Sequence, residues 1–470
     1  MIDISGTYTD QYQLSMGQVY FSKGETENTA VFDYFFRKLP FNGGFAVFAG
    51  LETLLDYLEK LKFSEKDLDY LRSLEFSEDY LDYLKNFRFR GKIYSMQEGD
   101  LVFPGAPVLR VEANIIEAQI IETLLLNILN FQTLIATKAA RMAIQAKGRT
   151  LIDFGLRRAQ GFGGYHASRA AIIGGFEATS NTRAGRDFGF PVSGTMAHSF
   201  VQSYEHELDA FRDFAEAHPK NAILLVDTYD TLKSGIPNAI QVGKEMEKRG
   251  DKLKGIRLDS GDLAYLARKS RELLDNAGLD YVKISASNQL DEHVIKSLLD
   301  QEAPIDIFGV GTSLVTGKPD AALDGVYKLS FFKGKPRIKL SETISKVTLP
   351  HQKQVHRLLD ESGNFLGGDV VCLANEKNPE MMYHPYDPLK FRFVGDVEKE
   401  ELLNIVFDNR TRSDKKKTIQ EIKEFNKERL AKLPPEYKRF NNPHIYKVGI
   451  SEKLRDERNA IIEEHKNKRS

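Results

Sequence analysis

One cysteine, Cys372, stands among 470 residues. A single thiol excludes an intrachain disulfide and any multi-cysteine metal site, and nothing around it suggests an activated thiolate, so it reads as a small buried hydrophobe. Net charge is scarce as well, at −1. That argues against a general polyanion binder: no nucleic-acid partner is expected, and any phosphate affinity has to come from a built site. The start of the chain, MIDISGTYTDQYQLSMGQVY, lacks the basic residues and continuous apolar run of a secretory signal. No segment approaches the roughly 20 apolar residues that span a bilayer, so no membrane partner is expected and a cytoplasmic location is. Walker A and G-x-G-x-x-G spacings are missing too, which leaves both common nucleotide folds unsupported.

What is present suits a large folded protein. With 41% apolar residues, a chain of this length exceeds one ordinary core and points to two or three domains. Residues 1–140 read as an α+β domain. In it TAVFDYFFRKLPFNGGFAVFAG is a strand followed by a turn, FSEKD and FSEDY supply serine caps to helices rich in Leu and Tyr, and residues 87–114 form short β-prone runs cut by Glu-Gly-Asp and Pro-Gly-Ala-Pro. A long apolar helical region, IIEAQIIETLLLNILNFQTLIATKAARMAIQAK, follows. Residues 327–470 read as a second β region, packing back on the amino-terminal domain, and a helical tail whose basic amphipathic helix, SDKKKTIQEIKEFNKERLAKLPP, is a solvated face.

Between them, residues 141–326 are regular. TLIDFG, FEATSN, AILLVDTYD, GIRLDSGD, YVKISASN and IDIFGVGTS are short strand-like runs ending in polar residues or glycine, mostly separated by helical stretches. Asp227, Asp259, Ser285 and Gly309 follow one another at intervals of 32, 26 and 24 residues, the length of one strand-plus-helix unit. The pattern predicts an α/β barrel, in which the loops after the strands converge on one mouth.

Four clusters and one histidine are predicted to meet there. DFGLRRAQG offers Phe154, Arg157 and Arg158, either a stacking face with anion-binding cations or an aromatic core residue beside surface arginines. GIRLDSGDL puts Arg257 and Asp259 on one face of a strand, able to grip a carboxylate or phosphate and to accept hydroxyls or hold magnesium, or else to form a structural ion pair. In IFGVGTSLVTG, Gly309 and Gly311 let backbone N–H groups approach a phosphate, and Thr312 adds a hydroxyl; a tight turn uses the same residues. Asp227, at the end of AILLVD, suits a ribose hydroxyl or magnesium. In FPVSGTMAHSFVQ, a glycine and Thr195 precede a helix-like stretch, so His198 sits at a helix entrance, where it can touch phosphate or serve as a structural hydrogen-bonding residue.

Together, GTMAHSF, RLDSGD and DFGLRRAQG resemble the nicotinate phosphoribosyltransferase family, a resemblance that runs from TDQYQLSMGQVY to FGVGTSLVT and weakens over the last hundred or so residues. It implies an irregular α/β barrel of the type II phosphoribosyltransferase kind, with an additional α+β domain built from the amino-terminal region and part of the carboxy-terminal region. The implied reaction joins nicotinate to 5-phosphoribosyl 1-diphosphate and couples ATP hydrolysis to turnover, with Mg2+ on the diphosphate. By the same resemblance His198 is transiently phosphorylated and Asp227 and Asp259 lie at the catalytic centre. Tyr12 and Phe154 sandwich the pyridine ring, Thr195, Arg257 and Ser180 line the nicotinate site, and Arg37, Arg157, Gly309, Gly311 and Thr312 hold the phosphoribosyl diphosphate. A homodimer is implied, with Tyr12 and Arg37 serving the partner's site.

The nearest rival is nicotinamide phosphoribosyltransferase, whose aspartate in the loop after the second barrel strand is matched here by Ser180. A neutral serine suits an anionic ligand better than a carboxylate does. A non-catalytic sugar-phosphate binder would need the glycine loop but not His198, Arg257 and Asp259 together. A metal-dependent aldolase would need a Schiff-base lysine or clustered histidines at strand ends, and the sequence offers neither.

Overall fold

The computed structural model describes residues 4–343 and 346–467. Its contacts divide the chain into two compact units, Met1–Leu134 with Ala322–Ser470, and Ile135–Ala321.

In the first unit, the β-branched and aromatic run Thr29–Phe36 forms a strand inside a seven-stranded antiparallel sheet. On one side it pairs with Leu109–Asn114, on the other with Gly325–Phe332, so early and late segments share one sheet. Phe32 stacks on Tyr327 with ring centroids 4.6 Å apart, and the Tyr327 hydroxyl donates to the Ala118 carbonyl at 3.0 Å. Helices Gln11–Ser22, Leu51–Leu58, Glu65–Ser73 and Glu78–Lys85 bury Leu14, Leu54, Leu68 and Tyr80 in the same core. Ser64 closes a capping box with Asp67, whereas Ser77 occupies the N-cap position with no side-chain cap bond.

A second, six-stranded sheet of this unit comes wholly from the late segment. In it Lys353–Leu359 pairs antiparallel with Phe365–Leu373, where Cys372 is buried and its thiol pushed up by that burial. Arg357 is fully buried. It donates to Asp100 at 2.8 Å, to both oxygens of Asp369 at 3.0 Å, and to the Leu101 carbonyl at 2.7 Å. Arg429, from the basic helix Ile419–Lys432, donates to Asp100 at 2.7 Å and to Glu400 at 2.8 Å, so that helix turns one of its cations inward. No helix among the described residues is long and apolar enough to cross a membrane.

In the second unit all six strand-like runs of the sequence are strands: Thr150–Asp153, Ala178–Thr179, Ile223–Leu225, Gly255–Leu258, Lys283–Ser287 and Ile307–Val310. Every pairing among them is parallel, and their spatial order is second, first, sixth, fifth, fourth, third. That is sequence order taken cyclically, the arrangement of an α/β barrel, with helices such as Phe162–Ile173, Ile236–Lys248, Leu263–Asn276 and Glu292–Asp300 on the crossovers. The ladder is open between the second and third strands, which makes the barrel irregular. Chain 180–222 connects those two strands and carries the Gly-Thr-Met-Ala-His run, and its Val192 makes an isolated parallel bridge with Thr179.

Candidate active site

Because the six strands are parallel, their carboxyl ends point the same way, and the polar residues that follow them gather at one mouth. Arg257 is central. It is the third residue of the fourth strand. Its Nε donates to Ser287 Oγ at 2.8 Å, one terminal nitrogen to Thr195 Oγ1 at 2.9 Å and the Met196 carbonyl at 3.4 Å, and the other to Asp259 Oδ1 at 2.9 Å. The guanidinium carbon lies 5.4 Å from the centroid of the Phe154 ring. The side chain is 13% exposed, so this fixed cation beside an aromatic face still reaches solvent.

Asp259 also accepts the Ser287 hydroxyl. Burial would raise its carboxyl, but that hydrogen bond and the Arg257 guanidinium outweigh burial and hold it below the ordinary carboxylate range. The backbone N–H of Asp259 and the hydroxyl of Ser260 both donate to Asp227 Oδ2, at 2.8 and 2.6 Å. Asp227 Oδ1 is buried and has no hydrogen-bond partner among the described residues. The neighbouring acid of the same loop, Asp230, does local work, accepting the N–H groups of Leu232 and Lys233 as a helix cap.

His198 is the first residue of the short helix His198–Gln202, after an extended Ala197. Its Nδ1 lies 3.1 Å from Thr228 Oγ1 and its Nε2 3.7 Å from Asp259 Oδ2. The first distance is a hydrogen bond and the second is not, so one ring nitrogen is held while the other faces an open, charged space.

Phe154 follows the first strand. A Cβ at Gly309 would stand 2.4 Å from its ring, which gives that glycine a packing reason beside the phosphate one expected from sequence. Gly311 precedes the helical turn Thr312–Val315, with Thr312 exposed at its start. Arg157 and Arg158, on the turn Leu156–Arg158, are exposed, and their side chains have no partner among the described residues. Ser180 is half-buried just past the second strand, its N–H donating to the Asp153 carbonyl at 2.8 Å.

The second unit therefore brings Phe154, Thr195, His198, Asp227, Arg257 and Asp259 into a connected set. Sequence reading missed Thr228, Ser260 and Ser287, the hydroxyls that orient it. All three lie inside the quoted strand-end runs, but an isolated serine or threonine carries no signal until its partner is known. Tyr12 and Arg37 belong to the first unit. Tyr12 is 52% exposed on the helix Gln11–Ser22. Arg37 lines a cavity of about 620 Å3 with Lys328, Lys353, His384 and Lys447, and its Nε is buried without a hydrogen-bond partner among the described residues. Among the described residues no group of three or more His, Cys, Asp or Glu is arranged to hold a metal ion.

The nicotinate phosphoribosyltransferase family model matches residues 150–378, and the models of that family's N-terminal and C-terminal domains match residues 7–130 and 352–458. A nicotinate phosphoribosyltransferase of Bacillus subtilis (strain 168) is 45% identical over 462 residues, covering 96% of this chain and 94% of the relative. The crystal structure of human nicotinic acid phosphoribosyltransferase matches with a TM-score of 0.87 at 30% identity, over 97% of this chain and 99% of that one. A nicotinate-nucleotide pyrophosphorylase structure from Pyrococcus furiosus matches with a TM-score of 0.72 at 26% identity, over 91% and 95%.

Proposed function

The chain belongs to the nicotinate phosphoribosyltransferase family, and from that premise we propose that it joins nicotinate to 5-phospho-α-D-ribose 1-diphosphate in the cytoplasm, as the first step of NAD salvage from nicotinate. The products are nicotinate mononucleotide and diphosphate, with ATP hydrolysis coupled to turnover. The observation that carries this reading is the grouping of Arg257, Phe154 and His198: a fixed cation beside an aromatic face, and an imidazole next to the carboxylate that the cation holds.

The pyridine nitrogen attacks C1 of the ribose, the C1–O bond breaks, and its electron pair leaves with diphosphate. Such a displacement needs alignment and electrostatic support more than proton transfer. Phe154 supplies the ring face, while Arg257, Thr195 and Ser180 receive the carboxylate end. Gly311 and Thr312 hold the 5-phosphate, with Gly309 seating Phe154; Arg157 and Arg37 meet the diphosphate. The buried, unpartnered Oδ1 of Asp227 fits Mg2+, which binds through one or two carboxylates plus substrate phosphates. Bound there, the ion would neutralise the leaving diphosphate.

Thr228 can accept a hydrogen bond from Nδ1–H of His198, which leaves the lone pair on Nε2. That nitrogen attacks the γ-phosphorus of ATP, ADP leaves, and the labile phosphohistidine later hydrolyses as product departs. Tyr12 and Arg37 complete the partner's site in a homodimer, so mixing Tyr12→Ala chains with Arg257→Ala chains restores part of the activity.

The test is product identity by mass spectrometry with nicotinate and nicotinamide in competition, with and without ATP, together with acid-labile phosphate on the protein. Nicotinate mononucleotide should dominate, and His198→Ala should lose both the label and the ATP stimulation while keeping a slow uncoupled reaction. Full ATP stimulation in His198→Ala would sink the phosphohistidine assignment; preference for nicotinamide would sink the substrate.

A further inference from the structure

Asp153 is the last residue of the first barrel strand and is completely buried. Its carboxylate accepts three hydrogen bonds at 2.7 Å, from the Gly155 N–H, the Ser168 hydroxyl and the Thr179 hydroxyl. None of these donors is a cation, and burial raises the carboxyl despite the bonds from Thr179, Ser168 and Gly155. A buried carboxylate with no cation beside it is costly.

Those bonds fix the backbone on either side of Phe154 and Ser180. Gly155 is the residue immediately after Phe154, and its position leaves no slack, since a Cβ there would stand 2.1 Å from Val315. Thr179 immediately precedes Ser180, whose own N–H is taken by the Asp153 carbonyl at 2.8 Å. Thr179 also ties down the chain that leads to Thr195 and His198: its N–H donates to the Pro191 carbonyl at 3.1 Å and its carbonyl accepts the Ser193 N–H at 2.9 Å. The first and second barrel strands, paired with Asp153 in register with Thr179, thus share one anchor, and Ser168 fastens that anchor to the helix Phe162–Ile173.

We propose that Asp153 is a positioning residue that sets the separation between the Phe154 ring and the Ser180 wall, and through it the affinity for the ring substrate. It touches no ligand. The inference rests on the nicotinate reading above.

Asp153→Leu keeps the approximate size but removes both acceptor oxygens, so none of the three bonds can form. The expected result is a KM for nicotinate raised about tenfold or more, with kcat and the KM for phosphoribosyl diphosphate changed less than about threefold. Thr179 gives an independent pair: Thr179→Ser keeps the hydroxyl and should stay near wild type, whereas Thr179→Val keeps the volume, loses the donor and should raise the nicotinate KM. If Asp153→Leu does not fold, that pair decides. Equal rises in both substrates' KM values, or a lower melting temperature with unchanged KM values, would overturn the proposal. Wild-type enzyme that does not use nicotinate at all would instead overturn the reading beneath it.

Discussion

Two arginine–carboxylate clusters of this protein use the same chemistry to opposite ends. Arg357, in the sheet built from the late segment, is fully buried, and its guanidinium is bonded to Asp100, Asp369 and the Leu101 carbonyl. Phe103 and Phe365 lie 5.5 and 4.6 Å from it, and the Tyr446 hydroxyl takes up Asp369 Oδ1 at 2.7 Å. Arg257 at the barrel mouth is equally well held, yet Asp259 is 26% exposed, Asp227 keeps a buried oxygen without a partner, and His198 offers a nitrogen with no hydrogen bond to Asp259. A saturated cluster has nothing left to offer a ligand. Open valence, more than the presence of charge, separates a site from a strut.

The sharpest way to break the comparison is to remove the strut. Arg357→Met leaves Asp369 buried without its cation, and removal of one partner from a buried pair costs about 3–5 kcal/mol of stability. A denaturant or thermal melt should show that loss, while kcat/KM at low temperature per folded molecule stays near wild type. If activity fell and the melt did not move, the two clusters would have exchanged roles. Next comes Arg257→Lys, which keeps the charge but loses the fork that serves Ser287, Thr195 and Asp259 together. We expect kcat/KM for nicotinate to fall roughly a hundredfold, about 2.7 kcal/mol, with little change in the melt. The smallest effect sharpens the comparison: Ser180→Asp sets a second carboxylate near the ligand's own, at a cost of about 1–3 kcal/mol in kcat/KM for nicotinate. Nicotinamide should lose far less or gain, and an unchanged ratio of the two kcat/KM values would mean that Ser180 does not face the ring.

These two clusters also mark how far the sequence could be read. The six barrel strands were legible because each is a short apolar run ending in polar residues or glycine, repeated at one strand-plus-helix interval. The barrel-mouth set was legible because Asp227, Arg257 and Asp259 sit at or just past those ends. The strut was not. Asp100 and Arg357 are 257 positions apart, and neither lies in a pattern that announces a partner. The run IFGVGTS marks Gly309 as room for a phosphate or for a tight turn, and the structure adds a ring that needs the same room. Asp153 lay inside the quoted TLIDFG, but its donors come from Gly155, Ser168 and Thr179, which only the fold assembles.

The strand Thr29–Phe36 has a consequence for how the protein is made. One neighbour, Leu109–Asn114, leaves the ribosome soon after it, but the other, Gly325–Phe332, comes far later, and Ser330 donates to the Val31 carbonyl across 299 positions of sequence. At 5–20 residues per second, the edge of that strand waits about 15–60 s for its partner. The contiguous segment Ile135–Ala321 is synthesised in that interval. For all that time the nascent chain carries a bare edge rich in Val, Phe and Tyr, the kind of template that pairs with the wrong strand. Soluble yield in the cell should therefore rise with chaperone supply.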